Sequence, residues 1–245
     1  MLEYKKNHQK FDELKVYPAE EVTTNNEAHV LVYGIDHVIK SGLSLHEILD
    51  EAKKQNAVTV APHPFSLLDA LRDDSIYCDL FEVFNSSNVD VYSNLRAKNF
   101  ASERDLHVVA GSDSHVRSTI GRSTNLIHSE NKLDSVIDAM KHHNVSIENT
   151  EYVQPKEALE HIRYKIQNSA FFIDKYTSQF YPRALWPIKL LYKLYMINPE
   201  GIFWNMFYRM SIVALRRISK KINFEGYDHR LFRERNLANI LKMVF

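Results

Sequence analysis

The sequence of 245 residues has a single cysteine, Cys78. One thiol cannot close a disulfide within the chain, so nothing in the sequence requires an oxidising compartment. Cys78 comes just before an apolar run, and the sequence predicts a buried, unreactive thiol at this position.

Long apolar stretches are missing as well. No run of about 18 uncharged apolar residues occurs, so the sequence predicts no membrane-spanning helix. The N-terminal stretch MLEYKKNHQKFDELK lacks the apolar core of a secretory signal peptide. Together these two absences predict a cytoplasmic protein.

The chain as a whole has no net charge, because 31 Lys and Arg balance 31 Asp and Glu. Its two parts nevertheless differ in charge. Residues 1–154 hold 15 basic and 24 acidic side chains, and residues 155–245 hold 16 basic and 7 acidic ones. A basic tail suggests an anionic partner, and a solvated basic face is the alternative.

Short apolar runs alternate with longer amphipathic stretches up to about residue 150. The predicted strands are residues 16–24, 28–35, 57–61, 79–84, 107–110, 124–127 and 145–147. The predicted helices are residues 44–55, 89–104 and 132–142. Asn25 and Asn26 are predicted to turn between the first two strands, and Ser44 and Glu47 to form a capping box. This alternation favours parallel βαβ units, in which active-site residues gather at strand ends.

Five metal-capable side chains lie at or beside predicted strand ends: Glu21, His29, His63, Asp113 and His115. Imidazole suits zinc, iron and manganese, and carboxylates suit harder or bridging positions. In APHPF, two prolines fix the backbone around His63. In GSDSH, a tight turn lets Asp113 and His115 point into one cavity. We expect ordinary surface or core roles for the remaining histidines, which are His8, His37, His46, His107, His128, His142, His143, His161 and His229.

The order of these motifs resembles that of the PHP (polymerase and histidinol phosphatase) superfamily of metal-dependent phosphoesterases. That family has a Pro-Gly-x-Glu strand, a His-containing strand, a His-Pro strand, an acidic–hydrophobic–aromatic–Asn strand and a Gly-Ser-Asp-x-His loop followed by Gly-Arg. The corresponding segments here are YPAEEVTT, AHVLVYGID, VAPHPF, LFEVFNSS and VVAGSDSHVRSTIGRST. The resemblance covers about residues 16–127. It implies an α/β fold, an incomplete distorted (βα)7 PHP-type barrel over residues 1–152.

The resemblance also implies a metal site and a reaction. The implied metal ligands are Glu21, His29, His63, Asp113 and His115, and the implied catalytic residues are His63, Asp113 and His115. Glu21 is chosen over Glu20 because it stands third after Pro18. The implied reaction is hydrolysis of a phosphomonoester or nucleotide at up to three divalent ions, Mn, Zn or Fe. Three further residues match common family positions, where they face the substrate or brace the loops: Asn85, Ser112 and Arg122.

The sequence departs from the family pattern in two places. It contains no His-x-His motif, and Pro18-Ala19 stands where the family has Pro-Gly. We therefore expect an N-terminally truncated barrel that lacks its first strand, holds fewer metals and hydrolyses its substrate poorly. Three explanations stay open: a fragment, a degenerate member, or ligands supplied by another chain. The alternative function is that of a non-catalytic PHP-like scaffold.

Residues 153–245 are predicted to form a basic, aromatic helical appendage. The predicted helices are residues 155–176, 183–196, 201–221 and 228–244. Within residues 184–221, aromatic side chains mix with Lys and Arg. Three interpretations stay open: packing as core, docking on a membrane surface, or contact with nucleic acid through phosphates and stacked bases. The oligomeric state is not predicted.

Overall fold

The computed structural model of the protein describes residues 14–234 and 237–244. His8 lies outside these residues. The described strands are β1 (Ala19–Thr23), β2 (His29–Tyr33), β3 (Val58–Ala61), β4 (Leu80–Asn85), β5 (Val108–Gly111), β6 (Ser123–Ile127) and β7 (Val145–Thr150). The described helices are α1 (Leu45–Lys54), α2 (Tyr92–Arg104), α3 (Leu133–Lys141), α4 (Pro155–Phe180), α5 (Leu185–Ile197), α6 (Ile202–Phe224), α7 (Arg230–Arg233) and α8 (Leu237–Val244). Short 3-10 turns are Arg72–Tyr77, Arg117–Thr119 and Pro182–Ala184.

Five strands form one sheet in the order β1-β2-β3-β4-β5, and β6 pairs with β7 in a separate sheet. β3, β4 and β5 are parallel, as predicted. β1 and β2 pair antiparallel, which agrees with the turn predicted at Asn25 and Asn26. β2 with β3 and β6 with β7 are also antiparallel, so the prediction of parallel βαβ units is wrong for these two pairs. The α/β class is confirmed. A closed barrel is not formed by the strands of residues 14–234 and 237–244.

The first two strands are antiparallel because their connection is short. Residues 24–28 join them, whereas a parallel connection takes a dozen or more residues. At the start of α1, the Ser44 hydroxyl accepts the backbone N–H of Glu47, whose carboxylate accepts the N–H of Ser44. The predicted capping box is therefore confirmed, and it fixes where this helix begins.

Apolar clusters lie on both faces of the large sheet. Neighbouring residues Leu80 and Phe81 of β4 belong to different clusters, because successive strand side chains point to opposite faces. One cluster packs against α1 and α2 through Ile48 and Phe100, and the other packs against α3 through Ile137. β4 is buried along its whole length, which places its polar residues inside the molecule.

The C-terminal helices pack on this body and on each other. Ile218 and Ile222 of α6 form a third apolar cluster with Met243 of α8. The buried Tyr195 of α5 donates its hydroxyl to the carbonyl of Leu159 on α4. In the part of the chain described here, no helix has both the length and the apolar character needed to cross a bilayer. The division at residues 152 and 153 and the cytoplasmic location both stay predictions.

Candidate metal centre

Three of the five predicted ligands meet at one point. Glu21 on β1 and His29 on β2 lie on the same face of the hairpin, since Glu21 pairs with Leu31 and Thr23 with His29. Oε1 of Glu21 lies 2.6 Å from Nδ1 of His29 and 3.5 Å from Nε2 of His63, which directly follows β3. The three donor atoms all lie within 4.8 Å of one another.

The surroundings of these atoms fit a bound cation. Nδ1 of His29 is buried and has no partner of hydrogen-bonding geometry among the described residues, although the Glu21 oxygen is close. A buried polar atom without a partner is costly, and an ion between the donors would satisfy it. Two imidazoles and one carboxylate suit a divalent transition metal such as zinc, manganese or iron.

The charges at the cluster favour a cation as well. The imidazoles of His29 and His63 hold the pKa of the Glu21 carboxyl well below its usual range, so Glu21 is ionised at neutral pH. Burial opposes protonation of His63, yet the neighbouring carboxylates, led by Glu21, raise its pKa above the usual value. The cluster therefore attracts positive charge, either as a proton or as a metal ion.

Glu82 of β4 holds the backbone of His63 in place. Its Oε2 accepts the N–H of His63 at 2.5 Å and the side-chain amide of Asn85 at 3.0 Å. His63 has a positive φ of 31°, a strained conformation for a residue other than glycine, so it needs this support. Burial raises the pKa of Glu82 to about 7. Sequence reasoning gave Glu82 no role; the signal was an acidic residue inside an otherwise apolar strand.

Gly111 provides the space that Glu82 occupies. A Cβ atom at position 111 would lie 1.7 Å from Oε1 of Glu82, a separation that no side chain can adopt. The glycine that opens the GSDSH loop is thus required by the carboxylate that supports His63. Two motifs that are distant in sequence, LFEVFN and GSDSH, are fitted to each other at this contact.

Asp113 and His115 border the same cavity as Glu21 and His63, which has a volume of about 610 Å³. They are not part of the three-donor cluster. Nδ1 of His115 lies 3.0 Å from the backbone carbonyl of Asp113, and its exposed ring stacks on His161 at 4.4 Å. Asp113 has a positive φ of 45°, so the loop is strained here too. The ligand and catalytic roles of these two residues stay predictions.

Asn85 and Ser112 make contacts that brace the loops around the cavity. The side-chain oxygen of Asn85 accepts the N–H of Ser87 at 2.8 Å, while its amide binds Glu82. The hydroxyl of Ser112 donates to the carbonyl of Ser123 at 2.9 Å and accepts the Ser123 N–H at 3.1 Å. A substrate role for either residue stays a prediction, and these contacts favour the bracing alternative.

Arg122 joins the body to the C-terminal helices. Its guanidinium donates at 2.5 Å to Glu151, just after β7, and also to Glu157 in the first turn of α4. It does not border the cavity. A contact of Arg122 with substrate stays a prediction. Both terminal nitrogens of its guanidinium already donate to carboxylates.

A second hollow of about 620 Å³ adjoins the cavity and shares Ser114 and His115 with it. It is bordered by Arg117 and by Arg163 of α4, neither of which has an ion-pair partner among the described residues. His161 of α4 does not line the hollow, but it stacks on His115, and its Nε2 is buried without a hydrogen-bond partner among the described residues. Burial and then Lys165 lower the pKa of His161 to about 4, so its imidazole is neutral. His161 was predicted to have an ordinary role, and its contact with His115 was not predicted.

Two comparisons with known proteins bear on this site. A family model described as PHP-associated matches residues 91–145, which include Asp113 and His115. An uncharacterised protein of Methanocaldococcus jannaschii is 27% identical over 170 residues. That alignment covers 65% of this chain and 65% of the relative, so the chain spans about two thirds of the relative's length. The match over residues 91–145 supports a relation between this chain and the PHP family.

Proposed function

We propose that the chain binds a divalent metal ion at Glu21, His29 and His63 and uses it to hydrolyse a phosphate ester. The supporting observation is the convergence of three ligand atoms from β1, β2 and the loop after β3, all within 4.8 Å of one another. The relation to the PHP family supports the same reaction class.

The residues that line the cavity would have different roles in such a site. A divalent ion supplies positive charge for phosphoryl oxygens and lowers the pKa of water. Glu21 and the two histidines hold the ion, and Glu82 fixes the backbone of His63. Asp113 and His115 stand on the cavity wall, where they would orient the substrate or move a proton.

The neighbouring hollow supports an anionic substrate larger than phosphate. Arg117 and Arg163 lie beside His115 and have no carboxylate partner in the described part of the chain. Guanidinium groups bind phosphate and carboxylate oxygens strongly. A phosphomonoester of a charged metabolite or a nucleotide would place its remaining anionic group there.

One alternative function has a specific observation in its favour. The ring of His115 contacts His161 and the carbonyl of Asp113 and does not reach the three-donor cluster. The sequence also offers no His-x-His motif. A metal-binding scaffold without hydrolysis is consistent with both facts.

The decisive experiment compares metal binding with phosphate release. Chain treated with a chelator is supplied with Mn²⁺, Zn²⁺ or Fe²⁺ and assayed on p-nitrophenyl phosphate and on nucleoside monophosphates. We expect metal-dependent phosphate release that His63→Ala and Asp113→Ala abolish. His128→Ala is the matched control, because this exposed histidine at the end of β6 does not border the cavity.

The outcomes separate the two functions. Metal binding without phosphate release under any metal would favour the scaffold. If neither metal binding nor phosphate release occurs, both functions are excluded. Equal activity in wild type and in both site variants would show that another group carries the reaction.

A further inference from the structure

Helices α5 and α6 present a broad apolar face to solvent. Its members, here called the α5–α6 face, are large exposed side chains at helical spacing: Trp186, Leu190, Leu194 and Ile197 on α5, and Ile202, Phe203, Met206, Phe207, Met210 and Val213 on α6. Ile197 and Ile202, on either side of the turn between the helices, are 80% and 82% exposed. On each helix these side chains recur at helical spacing and form an apolar stripe, and exposed apolar surface of this kind marks an interaction site.

The helices pack against the protein mainly through a different side from the α5–α6 face. The opposite side of α5 carries Tyr195, which is 4% exposed and hydrogen-bonded to α4. Tyr195 also packs edge-on against Trp204 of α6, with ring centroids 5.2 Å apart. The two helices therefore already bury one side against the protein. Phe203 and Phe207 stand at the border of that side, where they line a hollow of about 310 Å³ with Leu159 of α4, and the other members of the α5–α6 face lie outside this hollow.

Positive charge surrounds this apolar face. Residues 182–224 contain eight Lys and Arg but one acidic residue, Glu200. Lys189 and Lys220 pair with Asp174 and Glu225. The other six form no ion pair in the described ranges; three of them, Arg216, Arg217 and Lys221, donate to backbone carbonyls, which leaves Arg183, Lys193 and Arg209. On α6, Arg217 and Lys220 follow Met210 and Val213 by seven residues, about two turns, so they extend the same side of the helix.

We infer that the α5–α6 face docks on the surface of an anionic lipid bilayer, with both helices lying in the plane of the interface. An amphipathic segment rich in Lys and Arg, with Trp, Phe and Leu on its apolar side, binds membranes in this way. Neither helix crosses the bilayer. Apolar side chains enter the headgroup region, and the basic side chains reach acidic headgroups from its border.

Charge and chemistry favour lipid over the other occupants. A second copy of the chain would bring the unpaired basic residues beside the two faces, such as Lys193 and Arg209, towards each other, and like charges oppose such an interface. A nucleic acid would match the basic residues but would leave the exposed Ile, Leu, Met and Val side chains without a partner. Anionic lipid satisfies the charge and the apolar surface together.

The test is flotation of the 245-residue chain with two kinds of vesicle. One is pure phosphatidylcholine, and the other is an equimolar mixture of phosphatidylcholine and phosphatidylglycerol. We expect binding to the mixed vesicles that is about 10-fold tighter than to the neutral ones and that weakens as salt rises. This test is independent of the proposed hydrolysis, because no substrate or metal is needed.

Two variant pairs locate the binding surface. The double variant Ile202→Asp, Phe203→Asp should lower partition by at least about 10-fold, because it removes apolar area from the turn. Val38→Asp, at an exposed residue of the body, is its control and should have no effect. The double variant Lys193→Glu, Arg209→Glu should weaken binding to the mixed vesicles and leave binding to the neutral vesicles unchanged. Lys53→Glu on α1 is its control and should have no effect. Circular dichroism checks that each variant is folded.

Three results would overturn the inference. One is flotation with neither vesicle. Another is equal loss of binding in Val38→Asp. The third is evidence that another partner occupies the face. That evidence would be a lipid-free dimer that the Ile202→Asp, Phe203→Asp variant dissociates, or tight binding to a DNA duplex instead of lipid.

Discussion

Glu20 and Glu21 are adjacent glutamates with opposite surroundings on β1. Oε2 of Glu20 accepts the N–H of Ile39 at 2.9 Å, while Glu21 faces His29 and His63. Alternation along the strand separates them. We expect Glu21→Gln to lower affinity for Zn²⁺ or Mn²⁺ by at least about 10-fold, because the ligand charge is lost. Glu20→Gln should bind as wild type does in isothermal titration calorimetry; equal loss in both variants would contradict the assignment.

The Gly111–Glu82 contact gives a prediction about stability. Gly111→Ala should destabilise the fold by about 1–3 kcal/mol, because the new methyl group occupies the position of the Glu82 carboxylate. Urea unfolding followed by circular dichroism measures the change. In a Glu82→Ala background the same substitution should cost less than about 1 kcal/mol. Costs that add without coupling would show that the two residues do not compete for space.

Residues that belong to a motif were predictable, and residues that act through tertiary contacts were not. Glu21, His29 and His63 stand in short motifs, and the structure brings them together. Glu82 is recognised only when β4 lies beside the loop of His63, because a sequence does not show which backbone amide a carboxylate accepts. His161 lies on α4, far along the chain from His115, so its contact there depended on where that helix docks.

At the scale of elements, Asp90 anchors α6 to the body. Its carboxylate accepts the hydroxyl of Ser219 on α6 at 2.5 Å and the N–H of Ser93 on α2 at 2.9 Å. Burial raises the pKa of Asp90 above the usual 3.8, in spite of these hydrogen bonds. The stabilisation linked to its protonated form is therefore present below pH 3.8 and is lost as pH rises through the raised value.

Asp90→Asn tests this linkage. Asparagine keeps the acceptor oxygen for Ser219 and Ser93 but carries no charge to desolvate. Relative to wild type, the variant should therefore become more stable as pH rises from below 3.8 through the raised pKa of Asp90. Denaturant unfolding at several pH values measures it, with the exposed Asp50→Asn as control. A difference between Asp90→Asn and wild type that is independent of pH would contradict the assigned cause.

Element positions were easier to predict than strand directions. The capping box of Ser44 and Glu47 and the alternation of apolar residues placed α1 and β1 to β5 within a few residues. The predicted relative direction of β2 and β3 was wrong: the two strands are antiparallel although α1 lies between them in the chain. The order of helices and strands does not determine direction, because it depends on which sheet edge each connection reaches.

At the scale of the whole molecule, a metal ion would tie the first hairpin to the centre of the sheet. Glu21 and His29 belong to β1 and β2, and His63 follows the central strand β3. An ion that binds the folded chain alone should stabilise it by about 2.7 kcal/mol at a concentration 100 times its dissociation constant. The midpoint temperature of thermal unfolding of the chelator-treated chain should therefore rise when Zn²⁺ or Mn²⁺ is added. His29→Ala should remove this rise and His46→Ala should keep it; a rise of equal size in both would place the ion elsewhere.

The turn between α5 and α6 lies close to the hollow beside His115. Glu160 and Arg163 of α4 border that hollow, and they also border a smaller one of about 350 Å³ together with Pro199 and Glu200 of the turn. A bilayer bound at the α5–α6 face, as proposed, would thus lie next to the hollow beside His115. Anionic molecules held in that bilayer would then reach the hollow by lateral diffusion within the membrane, without first entering bulk water.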